Sequence, residues 1–195
     1  MVQKTDRRIR KTKKQLRQGL AKLMENKSIN EITVKELVEE VDINRSTFYL
    51  HYTDIYDMLQ KIEEELMQEI VRIISPPNEL QVADTFPYII NLFTMLENNR
   101  DICKALLGPH GDMAFINKIE EYIGQNSALY FTPYFPKNME QDLKYIYSYY
   151  ITGCIGLVKT WILNDNKETP EHMAQLTFKI VNNSLNALTL EENSF

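Results

Sequence analysis

Residues 45–51 carry side chains whose chemistry suits a partner rich in hydrogen-bonding groups. Arg45 has a guanidinium, Ser46 and Thr47 have hydroxyls, and His51 has an imidazole. Arginine can form two parallel hydrogen bonds to a guanine edge, hydroxyls can serve several bases, and the methyl groups of Leu50 can contact a thymine methyl. This combination predicts contacts with the base edges of DNA.

The residues just upstream predict the first of two helices that would position these groups. Thr33 can accept a backbone N–H as the N-cap of this helix, and Glu36 three residues later completes a capping box. Apolar side chains then recur at i, i+3, i+4 and i+7, which is the spacing of a buried stripe. They are Val34, Leu37, Val38 and Val41.

A turn and a second short helix follow. Asp42 stands where the chain must turn, and aspartate tolerates a left-handed backbone better than most residues, although less well than glycine. Asn44 can cap the next helix, in which only Phe48 and one side of Tyr49 are apolar enough for a core. Residues 33–52 therefore predict a helix-turn-helix whose second helix has the outward polar side of a recognition helix.

The charge distribution favours a DNA-binding helix-turn-helix over the alternative of a plain helical hairpin. Residues 1–22 hold nine basic side chains and one acid, and residues 1–60 have a net charge of +3. Residues 61–195 have a net charge of −8, so the −5 of the whole chain conceals a basic end. Such asymmetry is typical of a chain with one phosphate-facing end. The first-helix residues that we expect to contact phosphates are Arg10, Lys11 and Lys14.

Helical periodicity runs almost throughout, without repeats, and predicts an all-α fold of about nine helices. We expect a helix-turn-helix domain at 1–53, a connecting helix at 54–75 ended by Ser75, Pro76 and Pro77, and a helical regulatory and dimerisation domain at 76–195. The first helix should bury Ile9, Leu16, Leu20 and Leu23. The fourth should bury Tyr56, Leu59, Ile62, Leu66, Ile70 and Ile73.

Several classes of protein lack support in this sequence. No apolar run is long enough to span a bilayer and the first residues do not resemble a signal peptide, so we expect a cytoplasmic protein. Cys103 and Cys154 have no metal-like spacing, and the three histidines are far apart, so we expect reduced thiols and no metal or cofactor. Because glycine-rich phosphate loops, nucleophile elbows and HExxH motifs are missing from the sequence, we do not expect an enzyme.

The last two long helices carry broad apolar stripes that could meet their symmetry mates in a four-helix bundle. A two-fold dimer is what a reader of palindromic half-sites requires. The residues predicted at this dimer interface are Tyr150, Gly153, Leu157, Trp161, Met173, Leu176 and Ile180.

The block ITVKELVEEVDINRSTFYLHY at 32–52 and the following DMLQ resemble the DNA-binding domain of the tetracycline-repressor-like (TetR/AcrR) family. Two positions differ, because the family normally has glycine where this chain has Asp42 and lysine where it has Ile55. FTMLENNRDICKALLG, GDMAFINKI, YYITGCIGLVKTWILND and TPEHMA resemble a branch of the family from Firmicutes, over most of residues 92–175.

The resemblance implies roles for individual residues. It places Thr33, Tyr49 and His51 near the DNA backbone, and Arg45, Ser46, Thr47 and Leu50 nearest to the bases. It further implies a small-molecule pocket in the C-terminal body, whose effector would tilt the fourth helix and release DNA. Candidate pocket residues are Tyr88, Phe93, Met95, Phe115, Tyr122, Tyr147 and Tyr150.

One alternative remains open for the C-terminal body. The branch includes co-activators that bind another protein, and an acidic body would suit a basic partner. The sequence does not decide between repression and activation.

Overall fold

The computed structural model describes residues 2–74, 86–131, 139–164 and 168–190, and all its α-helices and its one 3-10 helix lie in these ranges. The predicted all-α class and helix number are confirmed for this part of the chain. The helices are α1 (Val2–Met24), α2 (Val34–Glu40), α3 (Arg45–Tyr49), α4 (Ile55–Ile74), α5 (Phe86–Asn98), α6 (Arg100–Leu107), α7 (Met113–Phe131), α8 (Leu143–Leu163) and α9 (Pro170–Leu190), with a 3-10 turn at Ile29–Glu31. The predicted helix stop at Ser75, Pro76 and Pro77 falls outside the described residues.

The chain divides into two compact units, each built from two separate stretches of the sequence. The first contains Met1–Met67 and Asn99–Met113, and therefore holds α6 together with α1, α2, α3 and most of α4. The second contains Gln68–Asn98 and Ala114–Phe195. Within the first unit, α6 packs on α1. Among the described residues, no helix is both long and apolar enough to cross a membrane.

The core of the first unit begins later along α1 than the apolar pattern predicts. Leu16 and Leu20 are fully buried, and Met24 is nearly so. Ile9, which we expected to be buried, is 39% exposed. The side chains of residues 7–11 are all exposed, so the apolar stripe continues toward the N-terminus beyond the turns that the core covers.

Helix α4 uses a slightly different face from the predicted one. Leu59, Ile62, Leu66 and Ile70 are buried as expected. Tyr56 is 57% exposed, and the prediction for it is wrong, because the neighbouring Ile55 and Met58 take the inward positions of the first turn. Adjacent helical residues point about 100° apart, so burial of Ile55 turns Tyr56 toward solvent.

Aromatic contacts organise the second unit. Helix α5 packs along α9, and the rings of Phe86 and Phe178 are 5.6 Å apart. The ring of Phe93 contacts that of Trp161 in α8 at 5.3 Å. The indole N–H of Trp161 donates to the backbone carbonyl of Glu168 at 3.1 Å, which fixes the end of α8 to the segment that leads into α9.

Gly19 allows α1 and α2 to pack closely. A Cβ at this position would lie 2.3 Å from Cγ1 of Val41 and 3.1 Å from Cδ1 of Leu37. A glycine in the middle of a helix normally costs about 0.5–1 kcal/mol relative to alanine. The close approach therefore explains why a glycine occupies this helical position.

We predict that Gly19→Ala lowers the free energy of unfolding by about 1–3 kcal/mol, because the added methyl overpacks the contact between α1 and α2. Gly156→Ala is the matched control, since a Cβ at Gly156 in α8 would meet nothing within 4 Å. Urea denaturation of both variants gives the comparison. Equal or greater stability of Gly19→Ala would contradict the close packing.

Candidate DNA-binding surface

Helix α2 begins at the predicted cap, although only half of the predicted capping box forms. Oγ1 of Thr33 accepts a hydrogen bond from the backbone N–H of Glu36 at 3.2 Å. The Glu36 carboxylate accepts a hydrogen bond from Nζ of Lys27 instead of turning back to Thr33. A complete capping box forms earlier, between Ser28 and Glu31 at the 3-10 turn. The 27–36 contact thus ties the α1–α2 connection to the first turn of α2.

Asp42 adopts the left-handed backbone that its position in the turn predicts. Its φ is 51°, and it is the one described non-glycine residue with a positive φ. The N–H of Ile43 donates to the carbonyl of Val38 at 3.0 Å, and that of Asp42 to the carbonyl of Glu39 at 3.4 Å. These two bonds form a Schellman motif, which ends α2 and redirects the chain.

Helix α3 is capped at one end and held by one buried side chain. Oδ1 of Asn44 accepts from the backbone N–H of Ser46 at 2.9 Å, which confirms the predicted cap. Phe48 is fully buried, and its ring lies 5.4 Å from that of Tyr49 and 5.6 Å from that of Tyr52. The remaining residues of this short helix do not belong to the core.

The residues predicted to contact DNA lie near the buried Phe48 in sequence and differ in their exposure. Arg45 and Ser46 are exposed, and Thr47 and His51 are half-buried. Leu50 is 79% exposed, and Tyr49 is also exposed. Thr33, at the start of α2, is exposed as well. An exposed leucine next to a guanidinium and hydroxyls has the mixed character that base edges require.

Three basic side chains of α1 contact other parts of the first unit. Lys13 pairs with Glu65 at 3.7 Å, and Lys22 pairs with Glu40. Nη2 of Arg17 donates to Oδ1 of Asn99 at 2.8 Å. The predicted phosphate contacts are all exposed: Arg10, Lys11 and Lys14.

Burial and a neighbouring cation both act on the imidazole of His51. Burial, and then the charge of Lys13, lower the pKa of His51 below its usual value of 6.5. Nζ of Lys61 lies 3.4 Å from the backbone carbonyl of His51 and 2.9 Å from the Asp57 carboxylate. A phosphate placed here would favour the charged imidazole, since an opposite charge raises the pKa of a histidine.

The start of α4 follows directly from α3 and has no cation in its first turn. Ile55, at the position where the resembled family has lysine, is 4% exposed and belongs to the core. The backbone N–H of Asp57 donates to Asp54 at 2.8 Å, and that of Thr53 donates to Asp57 at 2.9 Å. This cap was not predicted, although two acidic residues three apart at the start of an apolar run are its signal.

The predicted dimer-interface residues fall into different environments. Gly153, Leu176 and Ile180 are exposed, while Tyr150 and Leu157 are half-buried. Trp161 is 1% exposed and Met173 is also buried within the single chain. The role of all seven residues at a dimer interface stays a prediction. Tyr145 and Tyr149, which were not predicted, are among the most exposed residues of α8.

The predicted pocket residues lie inside the second unit or at its margins. Phe93, Met95 and Phe115 are buried. The others are half-buried: Tyr88, Tyr122, Tyr147 and Tyr150. The role of these residues in ligand binding stays a prediction.

Comparison with known proteins identifies the class of protein that this fold represents. Residues 83–183 match the TetR-type family model described as the transcriptional regulator C-terminal region. A Bacillus subtilis protein described as the uncharacterized HTH-type transcriptional regulator YxbF is 30% identical over 97 residues, which are 48% of this chain and 26% of that protein. The chain thus spans about a quarter of the length of this curated relative.

Two solved structures share the fold. A TetR transcriptional regulator from Streptococcus agalactiae aligns with a TM-score of 0.57 and 20% identity, over 93% of this chain and 99% of that one. The dihydroxyacetone kinase operon activator DhaS aligns with a TM-score of 0.51 and 16% identity, over 91% of this chain and 96% of that one.

The helix-turn-helix and the all-α fold define a transcriptional regulator. Because the family model covers more than half of its residues, the chain belongs to the TetR family of transcriptional regulators.

We predict that Asp42→Gly leaves the protein as stable or stabilises it by up to about 1 kcal/mol, whereas Asp42→Val destabilises it by about 1–2 kcal/mol. Glycine adopts a positive φ without steric cost, and a β-branched residue does not. Denaturant unfolding measures both changes. Equal stability of the two variants would show that the turn does not require a left-handed residue.

Proposed function

We propose that this chain is a cytoplasmic, homodimeric repressor that binds a palindromic DNA operator and is released by a small-molecule effector. The observation that carries the proposal is the construction of α3. Its core contact is confined to Phe48, and Arg45, Ser46 and Leu50 are exposed beside it. In this proposal the exposed side of α3 enters the major groove, where Arg45, Ser46, Thr47 and Leu50 contact bases.

Backbone contacts would come from α1 and from the ends of the helix-turn-helix. Arg10, Lys11 and Lys14 are exposed on α1, and Thr33, Tyr49 and His51 would add contacts beside the recognition helix. Since Ile55 is buried where the family has lysine, the cations of α1 carry more of the phosphate binding in this chain. Such contacts fix the register of a protein on the duplex and contribute most of its salt-dependent affinity.

We predict that Lys11→Ala lowers the slope of log affinity against log salt by roughly one to two units per dimer, because one phosphate contact is lost in each half-site. The affinity of the variant and of the natural chain would be measured over a range of salt concentrations, on a duplex selected from random DNA.

Lys118→Ala is the control for this experiment, since Lys118 is an exposed cation of α7. It removes the same charge from the protein outside the proposed surface and should leave the slope unchanged. Equal slopes for Lys11→Ala and the natural chain would remove α1 from the interface, and a salt-independent affinity would contradict the proposed binding as a whole.

Dimerisation is proposed to use the exposed faces of α8 and α9. Helix α8 presents Tyr145, Tyr149 and Gly153 to solvent, and α9 presents Leu176 and Ile180. A Cβ at Gly153 would meet nothing within 4 Å in the single chain, so a second helix can approach its backbone. The two-fold symmetric contact of these faces would set the separation of the two recognition helices.

We predict that Ile180→Glu converts the dimer to a monomer at micromolar concentration, because an unpaired carboxylate would be buried in the interface. Ile180 is half-exposed in the single chain, so the variant should keep its helical circular dichroism. Analytical ultracentrifugation measures the change, and Lys118→Glu in α7 serves as the control. A dimer that survives the substitution would place the interface elsewhere.

The effector is proposed to bind among the buried aromatic residues of the second unit. Phe93, Met95 and Phe115 provide the apolar surface that drug-sized ligands bury, with Tyr88, Tyr122, Tyr147 and Tyr150 at its margins. A screen for compounds that release the selected duplex tests this part of the proposal.

A second candidate is a DNA-binding activator whose C-terminal domain binds a protein. The net charge of −8 over residues 61–195 favours it, since it would suit a basic partner surface. The fold relative DhaS is described as an operon activator. A stoichiometric protein partner, without any compound that releases DNA, would support this candidate over the ligand-gated repressor.

A further inference from the structure

Lys61 is a residue of α4 whose side chain reaches back to the end of α3. Its Nζ lies 3.4 Å from the backbone carbonyl of His51 and 5.6 Å from the centre of the Tyr52 ring. The imidazole of His51 lies 6.3 Å from the same ring. Tyr52 is buried, and burial raises its pKa to about 12, so its phenol stays neutral. The ammonium and the imidazole therefore both lie beside one fixed, uncharged ring.

The ammonium of Lys61 is held in place and still accessible from solvent. An ammonium has three N–H donors. Nζ donates to the Asp57 carboxylate at 2.9 Å, and the His51 carbonyl is a second, longer contact. The carboxylates one turn further along α4, Glu64 and Glu65, have partners of their own. Because 45% of the Lys61 side chain is exposed, its third donor can reach a group that arrives from solvent.

We infer that Lys61 binds a phosphate of the DNA backbone at the end of the recognition helix, an inference that rests on the proposed function. In that function α3 enters the major groove, and His51 lies near the backbone. An ammonium 3.4 Å from the His51 carbonyl is at the same end of α3, so a phosphate bound there would meet it. Its contacts with Asp57 and Tyr52 already restrict the side chain, so less rotational freedom is lost on binding.

A purely structural role for Lys61 is the alternative, since a cation near the C-terminal end of a helix is favourable to that helix. The structure gives this role little weight. The ion pair with Asp57 is an exposed pair four residues apart, and such pairs contribute little to stability. Helix α3 is also held by the cap at Asn44 and by the buried Phe48. The two roles differ in the salt dependence of DNA binding.

The test measures the affinity of the full-length protein for the selected duplex over a range of salt concentrations. Lys61→Gln keeps a long polar side chain and removes the charge. It should lower the slope of log affinity against log salt by roughly one unit per half-site. The selected sequence should not change, because a phosphate contact carries no base information. Since the side chain is exposed, the variant should keep its helical circular dichroism.

Two further variants separate a phosphate contact from support of α3. Lys61→Arg keeps the charge and should keep the slope of the natural chain. Lys118→Gln removes an exposed cation of α7 and should also leave the slope unchanged.

An unchanged slope in Lys61→Gln, whatever its affinity, would overturn the inference, and so would a slope in Lys61→Arg as low as that in Lys61→Gln. A lower slope in Lys11→Ala without one in Lys61→Gln would overturn the inference and leave the proposed function standing. Failure of the natural chain to bind any selected duplex would instead overturn the proposed function, and the inference with it.

Discussion

A helix of five residues cannot maintain its own conformation in water, because nucleation fixes more backbone angles than its few hydrogen bonds repay. Helix α3 has that length, so its position depends on its ends and on one side chain. The Schellman motif at Asp42 sets the direction of the chain, Asn44 satisfies the first backbone donors, and Phe48 inserts into the core. Most of the other side chains of α3 lie outside the core, and the proposed function assigns them to DNA recognition.

The basic side chains of α1 also differ in their surroundings. Lys13, Lys22 and Arg17 contact Glu65, Glu40 and Asn99 respectively, and the proposed phosphate contacts of the same helix are exposed. Ile55 is buried at the start of α4, where the resembled family has lysine, and nine of the first 22 residues are basic. In the proposed function, a protein of net charge −5 presents a cationic surface to DNA, since exposed charges act mainly over about a Debye length.

Local sequence rules predicted most of the helix-turn-helix. Features that depend on contacts between residues far apart in the sequence could not be predicted in the same way. The caps at Thr33 and Asn44, the left-handed Asp42 and the buried Phe48 depend on neighbours within five residues, so the sequence pattern was sufficient. Tyr56 and Ile9 were assigned to the core by periodicity alone, which does not show where a core ends. Trp161 and Met173 are buried within the single chain, and because periodicity does not distinguish a subunit interface from the interior, their interface role stays a prediction. The bond between Arg17 and Asn99 connects residues 82 positions apart, and no local pattern could have predicted it.

The central claim is that the exposed side of α3 reads DNA sequence. Selection from random duplexes, performed in parallel with the natural chain and with Arg45→Ala, tests it most directly. We expect the natural chain to select a palindrome with two half-sites. We expect Arg45→Ala to lose the preference at one base pair in each half-site, with a discrimination penalty of about 1–3 kcal/mol. Selection of no common sequence by the natural chain, or an identical sequence preference in both chains, would contradict the claim.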